Sequence, residues 1–61
     1  MKRFRIGELI NYRPLECYGT ITTKGIKDGK RFIGIKLHDN IEGKTHIEVY
    51  ELFDTIEHLS E

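Results

Sequence analysis

The sequence contains only one cysteine, one proline and no tryptophan among 61 residues. Because Cys17 has no second cysteine to pair with, the framework is not that of a small secreted disulfide protein. No stretch approaches the roughly 18 apolar residues that cross a bilayer, and no signal-peptide core follows the basic N-terminus. We therefore expect a soluble cytoplasmic protein with no membrane association.

Catalytic and metal-binding patterns are also missing. The three histidines, His38, His46 and His58, have no regular metal-ligand spacing, and Cys17 has no C-x-x-C partner or adjacent base. His46 and Glu48 share a strand face, as some zinc ligands do, but solvated strand positions explain them equally well. The glycines do not form a phosphate loop, since no G-K-[ST] follows them. We expect no enzyme, no cofactor and no metal.

The length predicts one domain covering residues 1–61, near the lower limit for a chain that folds without a staple. Such a chain buries little apolar area, so its stability gains from a partner or a second copy. This is a physical reason to expect a homodimer.

Ten basic and ten acidic residues cancel, but they are segregated along the chain. The balance is +6 up to Lys36 and −6 from Leu37 onward. Two readings stay open: the halves neutralise each other in the fold, or they leave a basic and an acidic surface.

Alternation of apolar and polar residues predicts short strands at 4–7, 17–24, 30–38 and 44–50. Asp28-Gly29 predicts a hairpin turn between the second and third strands, because both residues tolerate positive φ. Asp39-Asn40 with Glu42-Gly43 predicts the next turn. Pro14 predicts a loop or an edge, and Gly19 predicts a bulge or a sharp bend.

The C-terminal segment allows two interpretations. Apolar residues at helical spacing from Val49 to Leu59 favour a short helix. The alternative, which we favour, is a 3₁₀ turn at 51–54 followed by a closing strand at 55–59. In either case the fold class is mainly β, a small barrel of four to five short strands with a 3₁₀ turn or short helix near the C-terminus.

Two family resemblances follow from particular runs of residues. Residues 19–21 and 29–37, with Asp39, Gly43 and the ending EVYELFDTIE, resemble SH3-like barrels of the CAP-Gly and KOW type. The resemblance implies an SH3-like barrel. It does not imply binding to cytoskeletal tails, because Gly43-Lys44 continues as Thr45-His46 and the G-K-N-D-G signature is absent.

The second resemblance is to the carbon storage regulator family, small dimeric RNA-binding proteins. It rests on residues 5–8, on Gly25-Ile26-Lys27 with Ile33-Gly34-Ile35, and on residues 46–50. The departures are Ile47, which stands where the family has an RNA-contacting arginine, and Leu37-His38, which replaces the A-P of its central loop. RNA binding is what this resemblance implies.

The central hairpin carries the best functional signal. Residue parity puts Ile21, Ile33, Ile35 and Leu37 in the core and leaves the opposite face to Tyr18, Thr20, Thr22, Lys24, Phe32 and Lys36. The hairpin tip adds Lys27, Lys30 and Arg31. Rings that stack on bases and cations that follow a phosphate backbone are what single-stranded nucleic acid requires, and a basic tip alone suffices for a duplex.

Structural interpretations compete with this one. Phe32 and Tyr18 can pack under the N-terminal strand or the loop at 13–15, or form a dimer interface, and lysines at a hairpin tip often serve solubility.

Two functional hypotheses result. The first is a nucleic-acid-associated regulatory module, in which Lys24, Lys27, Lys30, Arg31 and Lys36 contact phosphates while Phe32 and Tyr18 contact bases. The second is a protein-interaction module or small inhibitor of the phage or bacterial type, whose acidic C-terminal part docks on a basic host surface.

Overall fold

A computed structural model describes residues 3–59 of the chain as a single curled sheet of five antiparallel strands, a half-barrel. The strands are β1 (Leu9–Tyr12), β2 (Cys17–Lys27), β3 (Lys30–Ile41), β4 (Lys44–Tyr50) and β5 (Ile56–His58). A 3₁₀ turn at Arg13–Leu15 joins β1 to β2, and the described residues contain no α-helix. The mainly β fold of four to five strands is therefore confirmed, although β2 and β3, with 11 and 12 residues, are long rather than short.

The strand order across the sheet is β4-β3-β2-β1-β5. The first four strands follow one another as hairpins, and β5 returns to the far side of β1, where Tyr12 pairs with Ile56. β2 and β3 are the longest strands and lie at the centre of the sheet. They carry most of the core residues on one face of the sheet, and the opposite face carries their remaining side chains.

Both hairpin turns use left-handed backbone conformations. Asp28 and Gly29 have φ of 53° and 78°, and Glu42 and Gly43 have φ of 52° and 81°. Positive φ at both central residues matches the twist of the flanking strands, so both turn predictions are confirmed at these pairs. Asp39-Asn40 is not part of the turn, because β3 continues through it to Ile41.

The core lies on the concave face of the sheet and consists of aliphatic side chains and the single cysteine: Ile10, Cys17, Ile21, Ile33, Ile35, Leu37, Val49 and Ile56. Gly19 sits in this face, where an added Cβ would come within 2.5 Å of Ile35 Cγ2 and 3.0 Å of the Lys36 carbonyl oxygen. The close approach of β2 to β3 therefore requires a residue without a side chain at this position.

Two predicted elements at the ends of the chain differ from the structure. The segment 4–7 is not a strand, although the Gly7 amide donates to the Ile21 carbonyl at 2.7 Å. At the C-terminal end, a turn at Asp54-Thr55 leads into β5. The closing strand is confirmed, at Ile56–His58. The short helix is wrong, and so is the 3₁₀ turn at 51–54, because the 3₁₀ turn of the described residues lies at Arg13–Leu15.

The N-terminal segment is held against the concave face by aromatic and polar contacts. The Phe4 ring stacks on the His58 ring with centroids 4.0 Å apart, and it meets Phe53 edge-on at 6.2 Å. His58 Nδ1 in turn contacts a carboxylate oxygen of Glu8, and both of these side chains are largely buried. These contacts join the N-terminal segment to β5 at one end of the half-barrel.

Candidate nucleic-acid interface

A bulge in β2 decides which hairpin residues share a face. Ile21 pairs with Ile35, but Thr23 pairs with Gly34, so Thr22 is an extra residue that has no opposite residue in the β2–β3 register. Because parity reverses at the bulge, Lys24 pairs with Ile33 on the concave side. The prediction that Lys24 lies on the same face as Phe32 and Lys36 is wrong for this reason.

We use the name outer face for the convex side of β2, β3 and β4. Residues directly opposite each other in an antiparallel pair point to the same side, so the register assigns the face. Thr20 pairs with Lys36, Gly25 with Phe32 and Lys27 with Lys30. Among the sequence-derived candidates, the outer face carries Tyr18, Lys27, Lys30, Phe32 and Lys36.

An aromatic pair lies on the outer face near the hairpin tip. Phe32 lies between Gly25 on β2 and Tyr50 on β4, and the Phe32 and Tyr50 ring centroids are 5.8 Å apart at a tilt of 37°. A Cβ at Gly25 would lie 2.9 Å from the Phe32 ring, so the glycine lets the ring lie flat across β2. Phe32 is half-buried by these neighbours and Tyr50 remains exposed.

Polar contacts surround this ring pair. The Tyr50 hydroxyl donates to Glu48 Oε1 at 2.9 Å, and Lys27 Nζ lies 3.8 Å from the same oxygen. Because the neutral phenol donates to the carboxylate, the pKa of Tyr50 is raised above its ordinary value of 10.0. The Lys27–Glu48 pair is exposed on both sides, and pairs of this kind contribute little stability. Lys27 can therefore exchange this partner for another anion.

Tyr18 occupies the opposite end of the outer face. Its side chain is 56% exposed, and it lies beside Thr20, whose hydroxyl is 2.9 Å from His38 Nε2. The six residue-to-residue steps of β3 from Phe32 to His38 span about 20 Å. Tyr18 and Phe32 therefore do not form one cluster, and Lys36 lies between them.

The other two candidate cations, Lys24 and Arg31, lie on the concave side of the hairpin, where each contacts another part of the chain. Lys24 Nζ donates to the Phe4 carbonyl at 2.7 Å. Arg31 Nε donates to Glu51 Oε2 at 3.0 Å, and its guanidinium lies 6.0 Å from the Phe53 ring centroid. The hydrogen bond from Arg31 holds the pKa of Glu51 below its ordinary value of 4.5.

An open groove of about 930 Å³ lies on this same concave side, beside Lys24 and Arg31. Ile26 and Leu52 line it and are 73% and 81% exposed, the largest values among the exposed apolar side chains. Phe4 and Phe53 also line it. The groove was not predicted from the sequence. The available signal was Ile26, an isoleucine beside a turn that has no place in the predicted core.

Tyr50 is a second residue that sequence reasoning missed, and it lies on the outer face. Parity within β4 puts it opposite to Ile47 and Val49, but its partner on β3 depends on an irregularity between Lys36 and Ile41. The pairing with Phe32 therefore needed the structure.

Within residues 3–59, no group of three or more histidine, cysteine, aspartate or glutamate side chains is arranged to hold a metal ion. In the same part of the chain, no helix is long and apolar enough to cross a membrane.

No family model, no curated protein and no solved structure matches this chain. The resemblances to SH3-like barrels and to carbon storage regulators therefore stay predictions.

Proposed function

We propose that the protein is a non-enzymatic module that binds single-stranded RNA or DNA on its outer face. The observation that carries the proposal is the Phe32–Tyr50 ring pair, which lies beside Lys27 and Lys30 on one side of the hairpin. The proposal takes the half-barrel to be an SH3-like barrel with a regulatory role.

Base stacking supports this choice of ligand. Every base has a π face, and a base stacked on an aromatic side chain contributes about 1–3 kcal/mol. Tyr50 is exposed, and the neighbouring Phe32 ring packs against it and over Gly25, where the lack of a side chain leaves room for the ring. A ring that is already oriented loses little conformational entropy when a base stacks on it.

The charges of the outer face support it as well. Lys27, Lys30 and Lys36 are exposed there, and Lys27 Nζ lies 3.8 Å from Glu48 Oε1. Lysine ammonium groups bind phosphate as point charges, and the release of counterions makes the affinity salt-dependent. Lys24 and Arg31 are engaged with Phe4 and Glu51, so we assign phosphate binding to the three outer-face lysines.

A charge-reversal experiment separates the two faces of one hairpin. We expect Lys27→Glu combined with Lys30→Glu to abolish measurable binding of a short fluorescent oligonucleotide at moderate salt, because two phosphate contacts become repulsions. Lys24→Glu is the matched control on the concave face, and its affinity should stay within about threefold of that of the unchanged protein, or less than 1 kcal/mol. Equal losses in both variants, or retained affinity in the double variant, would sink the proposal.

The groove favours a second candidate function, the binding of a protein partner. Exposed apolar residues such as Ile26 and Leu52 are the usual contents of an interface centre. Under this alternative, Leu52→Asp should prevent co-purification of a partner from cell extract, whereas Lys27→Glu with Lys30→Glu should not. Under the nucleic-acid proposal, Leu52→Asp leaves oligonucleotide affinity unchanged.

A further inference from the structure

The sheet ends in a regular, uncovered strand at β4. Among residues 3–59, β4 pairs with β3 alone, so its second edge has no strand partner. The strand is seven residues long, alternates in burial and contains no proline. Natural edge strands usually carry prolines, bulges or inward charges that prevent pairing, and β4 has none of these at its centre.

The direction of the free backbone groups follows from the existing pairing. The Glu51 amide donates to the Arg31 carbonyl at 3.1 Å. Hydrogen-bonded and non-hydrogen-bonded pairs alternate along an antiparallel ladder, so the amides of Ile47 and Val49 also point toward β3. The amides and carbonyls of His46, Glu48 and Tyr50 consequently point to the free edge.

We propose that β4 pairs with β4 of a second copy of this chain, antiparallel and with the two-fold axis at Ile47. This is the register in which all seven residues of both strands take part, because Ile47 is the midpoint of Lys44–Tyr50. Registers shifted by an odd number of residues would bring concave and outer faces together, which pairing does not allow.

The side chains that would face each other support the same register. An axis at Ile47 sets His46 of one copy opposite Glu48 of the other, and the symmetry repeats this pair. An axis at Glu48 would instead oppose two identical carboxylates, which is unfavourable. On the concave side, the half-buried Ile47 side chains of the two copies meet at the axis and cover each other.

The pairing would join the two outer faces into one continuous surface. Tyr50 lies at one end of β4, so each copy would contribute its Phe32–Tyr50 ring pair to the same convex sheet. This inference does not rest on nucleic-acid binding, because it follows from the free edge and the register alone. A seven-residue edge makes an interface at the small end of the specific range, so the dimer should dissociate reversibly on dilution.

Sedimentation velocity of the full chain from micromolar to millimolar concentration tests the dimer. We expect a reversible shift from monomer to dimer, together with concentration-dependent slowing of hydrogen exchange at the amides of His46, Glu48 and Tyr50. A monomer at every concentration would overturn the proposal, and so would a dimer in which these three amides exchange as fast as in the monomer.

Charge variants then test the register without touching the core. His46→Glu opposes two pairs of carboxylates, and we expect the dimer dissociation constant to rise about tenfold. Adding Glu48→Lys should restore it to within about threefold, because each pair then joins a carboxylate and an ammonium group. His38→Glu makes the same change on the outer face of β3, away from the edge, and should have no effect. A dimer unaffected by His46→Glu, or not restored by the second change, would refute this register.

Discussion

A substitution at Phe32 should reduce nucleic-acid binding strongly while changing the stability of the fold only slightly. In Phe32→Leu an apolar side chain still covers Gly25, while the π face beside Tyr50 is lost. Loss of one base stack at about 1–3 kcal/mol corresponds to a fall in oligonucleotide affinity of about 5- to 150-fold. Because Phe32 is only half-buried, the stability cost of this near-conservative change should stay below about 1.5 kcal/mol.

The matched control is Phe53→Leu. Phe53 is also a half-buried phenylalanine in an aromatic pair, but it lies on the concave side against Phe4. It should lose a similar amount of stability and keep its affinity. Fluorescence anisotropy measures the binding and urea unfolding measures the stability of both variants. Affinity in Phe32→Leu within twofold of the unchanged protein would refute the assignment of Phe32, as would equal losses of affinity in the two variants.

Two further predictions concern the fold. Gly19→Ala places a methyl group against Ile35 and the Lys36 carbonyl, and overpacking of this kind costs about 1–3 kcal/mol. Thermal unfolding should therefore show a melting temperature that is lower by at least about 4 °C. An unchanged melting temperature would contradict the close approach of β2 to β3. The pKa of Glu51 is depressed by Arg31, so its contribution to stability is present above pH 4.5 and is lost as the pH falls below that value. The difference in urea stability between the unchanged protein and Glu51→Gln should therefore shrink progressively as the pH is lowered below 4.5, and a difference that stays constant below that value would count against the Arg31–Glu51 contact.

Sequence reasoning was reliable where local chemistry decides the structure. Asp28-Gly29 and Glu42-Gly43 adopt the positive φ values that such turns need, and the core members Ile21, Ile33, Ile35 and Leu37 lie in the core as parity indicated. Turn chemistry and period-two alternation act over a few residues, so no tertiary information was required.

Sequence reasoning was unreliable wherever an irregularity shifts the register. Straight parity along β2 put Lys24 on the face of Phe32, and the bulge at Thr22 reverses it. Counting from the Asp28-Gly29 turn pairs Lys24 with Ile33 correctly, so this part was readable. The same counting from Glu42-Gly43 would oppose Phe32 to Phe53, whereas the irregularity between Lys36 and Ile41 brings it to Tyr50. The bulge shifts the β2–β3 register by one residue and the second irregularity shifts the β3–β4 register by three. Such a shift changes every later pair, and nothing in the residues 37–40 specifies the second one.

Nuclear magnetic resonance titration of the labelled chain with short RNA and DNA oligonucleotides tests the central claim most directly. We predict amide shifts confined to the outer face around Lys27, Lys30, Phe32 and Tyr50. With three lysines on phosphates, the logarithm of affinity should fall with the logarithm of salt concentration at a slope of about −2. An absence of shifts at low salt, or shifts confined to the groove at Ile26 and Leu52, would contradict a nucleic-acid interface on the outer face.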